Sequence, residues 1–286
     1  MKFISLVKPG IILGNTITLF GGYFVGAKNN NFSTLGFLST LIGMVLTVAA
    51  GCVLNNYVDR DIDCLMERTK SRSSACGLVS LKFTLNYACI LGFFGSVLLY
   101  LVVNLITVII ALIGLITYVM IYTLYSKRNN VFGTIIGGIA GALPPVIGYT
   151  AATGCFNHIA IVLFLILFCW QIPHFFAIAI YRIEDYKAAK VPVLPLKKGF
   201  FYTEVNMLIF VILYISSSII LNSITINAIF YLISIVILGF MWLLLTLQGF
   251  ITNDTKQWSR KMFSFSIFSI TILNTSMSLT SLLNFH

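Results

Sequence analysis

Three oxygen-bearing side chains, Asn55, Asp59 and Asp63, follow one another at intervals of four residues. On a helix each interval advances about 6 Å along the axis and turns about 40° around it, so the three line one face. Asp61 lies about 200° around from Asp59 and points elsewhere. The chain holds eight acidic residues, and four of them (Asp59, Asp61, Asp63 and Glu67) fall in this short stretch. Arg68, Lys70 and Arg72 follow directly. Carboxylate and amide oxygens are the ligands of hard cations such as Mg²⁺, and guanidinium groups pair with phosphate oxygens. The pattern suits a divalent ion held by Asn55, Asp59 and Asp63, with a phosphorylated substrate gripped by Arg68, Lys70 and Arg72. A solvated loop with ordinary helix-end charges explains the charge. It does not explain why Asn and Asp recur every four residues at the end of an apolar run over 35–53, where ionisable groups are costly.

Those residues need a frame, and composition says what kind. The chain is 59% hydrophobic and 9% charged, with a mean hydropathy of +0.99. That composition excludes a soluble globular domain and indicates an all-α polytopic membrane protein. The formal net charge of +10 does not signal nucleic acid, because the basic residues alternate with apolar runs and form no continuous patch. The six cysteines include no C-x-x-C pair and read as packing residues.

Apolar runs near 9–27, 35–57, 84–103, 105–125, 132–152, 159–181, 205–222, 226–248 and 262–283 each approach the roughly 20 residues that cross a bilayer. They predict nine helices in a bundle around a central cavity, within a single domain over 1–286. Breaks in the longer uncharged intervals are placed at Val103-Asn104, at 153–158 and at 222–227. Lys8-Pro9 enters the first run directly, so that run reads as a retained helix rather than a cleaved signal, and no Arg/Ser-rich transit segment precedes it. Alternate loops collect 17 of the 18 basic residues, with Lys28 alone on the other side. This bias assigns the rich set, the N-terminus and the acidic loops to the cytoplasmic side, with the C-terminus external. Asp59 after helix 2 and Asp185 after helix 6 suggest a faint repeat, helices 1–4 (about 9–125) against 5–8 (about 132–248), with helix 9 (262–283) extra.

With Asn55-x3-Asp59-x3-Asp63 followed by Met66-x-Arg68-Thr69-x2-Arg72, the chain resembles the UbiA superfamily of intramembrane prenyltransferases, and within it the haem-modifying branch. Lys8-Pro9-Gly10 resembles that branch's entry to helix 1. The segment 137–148, rich in glycine and ending Pro144-Pro145-Val146-Ile147-Gly148, resembles its helix 5. Trp170-Gln171-Ile172-Pro173-His174 through Tyr181-Arg182 resembles its helix 6, and Glu184-Asp185-Tyr186 with Pro192-x-Leu194-Pro195 its second loop. The match runs in order over roughly 8–196; beyond that only hydropathy agrees. This sequence departs from the superfamily pattern at Ala189, where a second aspartate is common, and from the haem branch at Ile183, Lys190 and Ser73.

The resemblance implies farnesyl transfer from farnesyl diphosphate to a vinyl group of haem B, with water addition, giving haem O and diphosphate. It implies Mg²⁺ as cofactor, held by Asn55, Asp59, Asp63 and Asp185, with Arg68 and Arg72 joining Asp59, Asp63 and Asp185 as catalytic residues. Lys127, Arg128, Arg182 and Lys187 join Arg68, Lys70 and Arg72 as diphosphate-binding candidates. Haem B enters as substrate rather than cofactor, and a bacterial inner membrane and hand-off to a haem–copper terminal oxidase are implied as well. His174, Tyr181 and Asp185 share a helical face about 16 Å long. That face suits a flat macrocycle, with His174 and Tyr181 as haem contacts; a histidine bonded to a neighbouring helix explains His174 equally well. Gly133, Gly137 and Gly141 read as a close-packing face. A quinone-pathway aromatic prenyltransferase and a secondary transporter with Asp59 and Asp185 as ion sites are the alternatives.

Overall fold

The computed structural model describes residues 6–27 and 32–283, for the last two of these the backbone only; Lys2 and Lys28 of the charge-bias reading lie outside them. Every regular element among the described residues is helical. The long helices are α1 (Pro9–Gly26), α2 (Thr34–Val58), α3 (Leu81–Val102), α4 (Leu105–Asn129), α5 (Gly133–Thr153), α6 (His158–Tyr181), α7 (Phe200–Ile226), α8 (Ile229–Ile251) and α9 (Thr255–Ser281).

Eight of these, α2 to α9, are long and apolar enough to cross a membrane. The expected ninth span, α1, falls short of that description. It has 18 residues, about 27 Å at 1.5 Å per residue, and its apolarity is diluted by five glycines and Asn15.

The breaks are built from local chemistry. Asn104 ends the α3–α4 interval by accepting the Thr107 N–H at 2.9 Å, a side-chain N-cap. Gly154 ends α5 in the left-handed conformation at φ 69°, and Asn157 caps α6 by accepting from the N–H groups of Ile159 and Ala160. Asn227, at φ 46°, turns the chain between α7 and α8. Two starts come earlier than expected. α7 begins at Phe200 and α9 at Thr255, because a helix carries its interfacial residues, here Glu204 and Lys256, Arg260 and Lys261, beyond the apolar window that hydropathy detects.

α2 is the most buried of the eight and α3 the least. α2 packs along α3, α1 along the second half of α5, α6 along α7, and α9 touches α6, α8 and α1. Helix 9 is therefore part of the wall and not an appendage. The α1–α5 crossing is a backbone contact: a Cβ on Gly22 would stand 1.9 Å from the Pro145 carbonyl oxygen, and one on Gly148 2.3 Å from that of Leu19. α5 breaks after Ala142 and restarts with Pro144 in its first turn, where a missing N–H is harmless. The Gly133/Gly137/Gly141 face is a packing face: a Cβ on Gly137 would meet the Tyr122 ring and one on Gly141 the Gln171 amide. Cys52 and Cys169 are buried as packing residues should be, but Cys64, Cys76, Cys89 and Cys155 are exposed, the first two in a loop whose backbone has left the bundle.

Candidate active site

α2 ends at Val58, but its hydrogen-bond ladder does not. The Asp59 N–H donates to the Asn55 carbonyl at 2.9 Å and the Asp63 N–H to the Asp59 carbonyl at 2.7 Å, through a short turn over Arg60–Asp63. The four-residue spacing is thereby carried past the end of the helix. Asn55, Asp59 and Asp63 face inward, 2%, 1% and 3% exposed, while Asp61 points out.

Buried carboxylates require partners, and these come from three other segments. Lys127, at the end of α4, places Nζ 2.5 Å from Asp59 Oδ2. Arg72 Nη1 lies 2.8 Å from Asp63 Oδ2 and donates to Asn56 Oδ1 at 3.4 Å. The Asn55 amide nitrogen donates to Asp59 Oδ2 and to Thr123 Oγ1, both at 2.9 Å, and the Asn55 oxygen accepts from Lys8 Nζ. Burial lowers the Lys8 ammonium to about 8, with the nearby cations Arg72 and Lys127 pushing the same way and Asp59 opposing them.

The second loop approaches from α6. The Asp185 carboxylate accepts the backbone N–H of Glu67 at 3.0 Å, and an apolar cluster of Ile62, Met66, Ala189, Val191 and Val193 holds the two loops together. Tyr186 packs against this cluster. Burial pushes its phenol above the usual range, Tyr122 adds to that, and Arg68 and Lys127 draw it back.

Not every expected residue is brought in. Asp59, Asp63 and Asp185 do not converge: among the described residues no group of three His, Cys, Asp or Glu is close enough to hold one ion. Each carboxylate instead has its own partner, Lys127, Arg72 or the Glu67 amide. Arg128 forks onto Asp61, with both contacts at 2.7 Å, and donates to the Val58 carbonyl; it fastens α4 to the loop. Lys70 turns to Glu67 at 2.7 Å in solvent. Arg68 and Lys187 are exposed, and neither has an ion-pair partner among the described residues. Arg182 stacks on Tyr181 at 5.0 Å with its Nε buried and unpartnered.

His174 is held by packing. Its ring lies 4.9 Å from both Trp170 and Phe263, and Nδ1 shares a 2.6 Å hydrogen bond with Ser266 of α9. That is the helix-to-helix reading; only Nε2 is left for an axial contact. Tyr181 sits near Phe263 and Arg260. Two cavities lie elsewhere, one of about 590 Å³ between α8 and α9 and one of about 260 Å³ among α4, α5 and α6.

Two buried carboxylate oxygens, Asp59 Oδ1 and Asp185 Oδ2, have no hydrogen-bond partner among the described residues; Arg128 Nη2 stands 3.9 Å from Asp59 Oδ1. Unsatisfied hard oxygens beside an amide oxygen are the donor set a divalent cation takes. Mg²⁺ in particular asks for only one or two carboxylates when phosphate completes its shell.

Lys8 and Thr123 are site residues that the sequence reading did not pick out. Lys8 reads in the sequence only as the entry to the first helix, and its place directly before a helix of the same bundle is a usable signal. Thr123 gave none: it lies in a π-helical stretch, Thr117–Ser126, that no periodicity reveals. Such stretches recur at functional sites.

Comparison with known proteins bears on the family and the fold. The family model described as "UbiA prenyltransferase family" matches residues 15–270. A protein named protoheme IX farnesyltransferase from Yersinia pseudotuberculosis is 44% identical over 277 residues, 97% of this chain and 94% of that one. Its namesake from Photorhabdus laumondii is 44% identical over 278 residues, again 97% and 94%. Among solved structures, one described for digeranylgeranylglyceryl phosphate synthase superposes with a TM-score of 0.80 at 22% identity, over 99% of this chain and 98% of that one. A UbiA homolog from Archaeoglobus fulgidus bound to GPP and Mg²⁺ superposes at 0.65 and 15% identity, over 98% and 100%. The chain is a multi-pass membrane protein and belongs to the UbiA prenyltransferase family.

Proposed function

We infer that the protein transfers a farnesyl group from farnesyl diphosphate to a vinyl group of haem B, with water addition, releasing diphosphate and giving haem O. The observation that carries the reading is the buried Asn55/Asp59/Asp63 face, walled by Lys8, Arg72 and Lys127. The kinship to proteins named protoheme IX farnesyltransferase supports the choice of acceptor and donor.

Breaking an allylic carbon–oxygen bond leaves negative charge on diphosphate. Asn55, Asp59, Asp63 and Asp185, whose carboxylates do not meet at one point in the absence of substrate, would hold Mg²⁺ together with the diphosphate oxygens, and the metal would neutralise that charge. Arg68 stands unpaired and ready for a phosphate oxygen, and Arg72 and Lys127 can turn from their carboxylates to the diphosphate once the ion takes their place. These residues orient the donor and hold its leaving group as charge develops. The aromatic walls of Tyr122 and Tyr186 keep water from the reacting carbon. On this reading the acidic loops and the N-terminus face the bacterial cytoplasm, as the distribution of Lys and Arg supports. His174 Nε2 and Tyr181 line the approach of haem from α6.

The test is reconstitution in proteoliposomes with farnesyl diphosphate, Mg²⁺ and either haem B or a hydroxybenzoate. Magnesium-dependent diphosphate release with conversion of haem B alone is expected. Prenylation of the hydroxybenzoate with haem B untouched would assign the protein to quinone-pathway chemistry instead.

A further inference from the structure

Asn55 carries an ambiguity that its surroundings resolve. Its amide can present either the oxygen or the NH₂ group to a cation, and only the oxygen can serve as a ligand. Asp59 and Lys8 favour one orientation, and a third group, on another helix, fixes it from the side. Thr123 is fully buried in the π-helical part of α4, and its hydroxyl donates to the Tyr118 carbonyl, five residues back, at 2.8 Å. Having spent its one proton there, Thr123 Oγ1 can only accept from Asn55. The Asn55 nitrogen meets that acceptor at 2.9 Å and Asp59 Oδ2 at 2.9 Å, so both of its protons are used. The amide oxygen is left facing the Lys8 ammonium. A flipped amide would set its NH₂ against that ammonium and its oxygen against the Asp59 carboxylate.

We propose that Thr123 is a positioning residue for the cation site: through the fixed direction of its hydroxyl it holds the Asn55 amide oxygen toward the bound cation. The π-helical winding is part of the device. It brings the carbonyl of residue 118 within reach of the residue 123 hydroxyl, while the stretch ends at Ser126 so that Lys127 meets Asp59. The proposal rests on the reading of Asn55 and Asp59 as cation ligands, and the experiment separates the two.

Mn²⁺ binding to the purified protein in detergent, followed by electron paramagnetic resonance, reports the site without turnover. Asn55→Ala and Asp59→Ala are expected to weaken Mn²⁺ binding more than tenfold; wild-type affinity in both would overturn the cation-site reading itself. Thr123→Val, nearly the same shape without the hydroxyl, is expected to weaken binding about tenfold, the equivalent of about 1.4 kcal/mol, and Thr123→Ser to stay within about twofold. In an Asn55→Ala background Thr123→Val is expected to add nothing. If the two alanine variants lose Mn²⁺ while Thr123→Val keeps wild-type affinity, or if Thr123→Ser is as damaging as Thr123→Val, the positioning role is wrong. Should Thr123→Val not yield folded protein, Thr123→Ala against Thr123→Ser makes the same comparison.

Discussion

The two polar loops occupy matching places, one after α2 and one after α6, yet they are equipped differently. In the first, each buried carboxylate is held by a cation: Asp59 by Lys127, with the Asn55 amide added, and Asp63 by Arg72. In the second, Asp185 has only the Glu67 N–H, and its other oxygen is buried without a partner. The first loop is thus assembled by side chains from several helices, whereas the second leans on the first. On the proposed reading, the first would set a site geometry before substrate arrives and the second would supply a ligand that substrate and metal must complete.

The largest expected effects test that division directly. Asp59→Ala and Asp63→Ala are expected to lower diphosphate release more than about a hundredfold, beyond what losing a supporting partner of a metal ligand costs. Asp185→Ala is expected to lower it roughly ten- to a hundredfold, with part of the loss restored by raising Mg²⁺. Steady-state assays across a Mg²⁺ series distinguish the two; equal losses, both insensitive to Mg²⁺, would erase the distinction between the loops.

Stability should divide the loops in the same way. Lys127→Met removes the closest cation from buried Asp59 and leaves Arg128 at 3.9 Å, so its cost should approach, without exceeding, the about 3–5 kcal/mol typical of breaking a buried pair from one side. Lys187→Met, at an exposed and unpaired position in the second loop, should change stability by less than about 0.5 kcal/mol. Thermal unfolding in detergent with chelator present measures both, and Mg²⁺ should recover part of the Lys127→Met loss by standing in for the missing charge. The contrast sharpens if only Lys127→Met responds to the metal.

How much of this was legible from the sequence follows the same divide. The spacing of Asn55, Asp59 and Asp63 encoded a face because the hydrogen-bond ladder continues across the end of α2. Span limits were readable wherever Asn104, Gly154, Asn157 and Asn227 stop or cap a helix. Partnerships between distant segments were not. Nothing local says that Lys127 meets Asp59 while its neighbour Arg128 forks onto Asp61, or that Lys8 reaches Asn55 across 47 positions. The π-helical stretch hid Thr123, because its hydroxyl acts through a winding that amphipathic patterns do not contain. Convergence of Asp185 with the first pair was implied by the family resemblance, but each carboxylate has its own donor.

Within the first loop the cations should separate in turn. Arg68 has no ion-pair partner among the described residues, so Arg68→Ala is expected to raise the KM for farnesyl diphosphate about tenfold, in line with one charge-assisted contact. Lys70 is engaged with Glu67 in solvent, and Lys70→Ala should stay within about twofold. Initial-rate measurements over a donor series decide it, and a larger effect at Lys70 would mean that the loop rearranges on binding.

The smallest effect concerns Asp61, the acidic residue that the helical spacing turned away from the others. Its hydrogen bonds to Arg128 are the main reason its carboxyl is held below the usual range, with its burial opposing them. A carboxyl lowered in the folded state stabilises it at pH above the ordinary carboxylate range, and that contribution fades as acid protonates the folded form. Asp61 is largely exposed, so solvent screens the pair. Asp61→Asn should therefore leave diphosphate release near wild type at neutral pH and shift the unfolding temperature only slightly. The difference between the two proteins should vanish on acidification below the carboxylate range. A loss of activity comparable to that of Asp59→Ala would show that the Arg128 fork holds the first loop in register, and that the outward face matters to catalysis as much as the inward one.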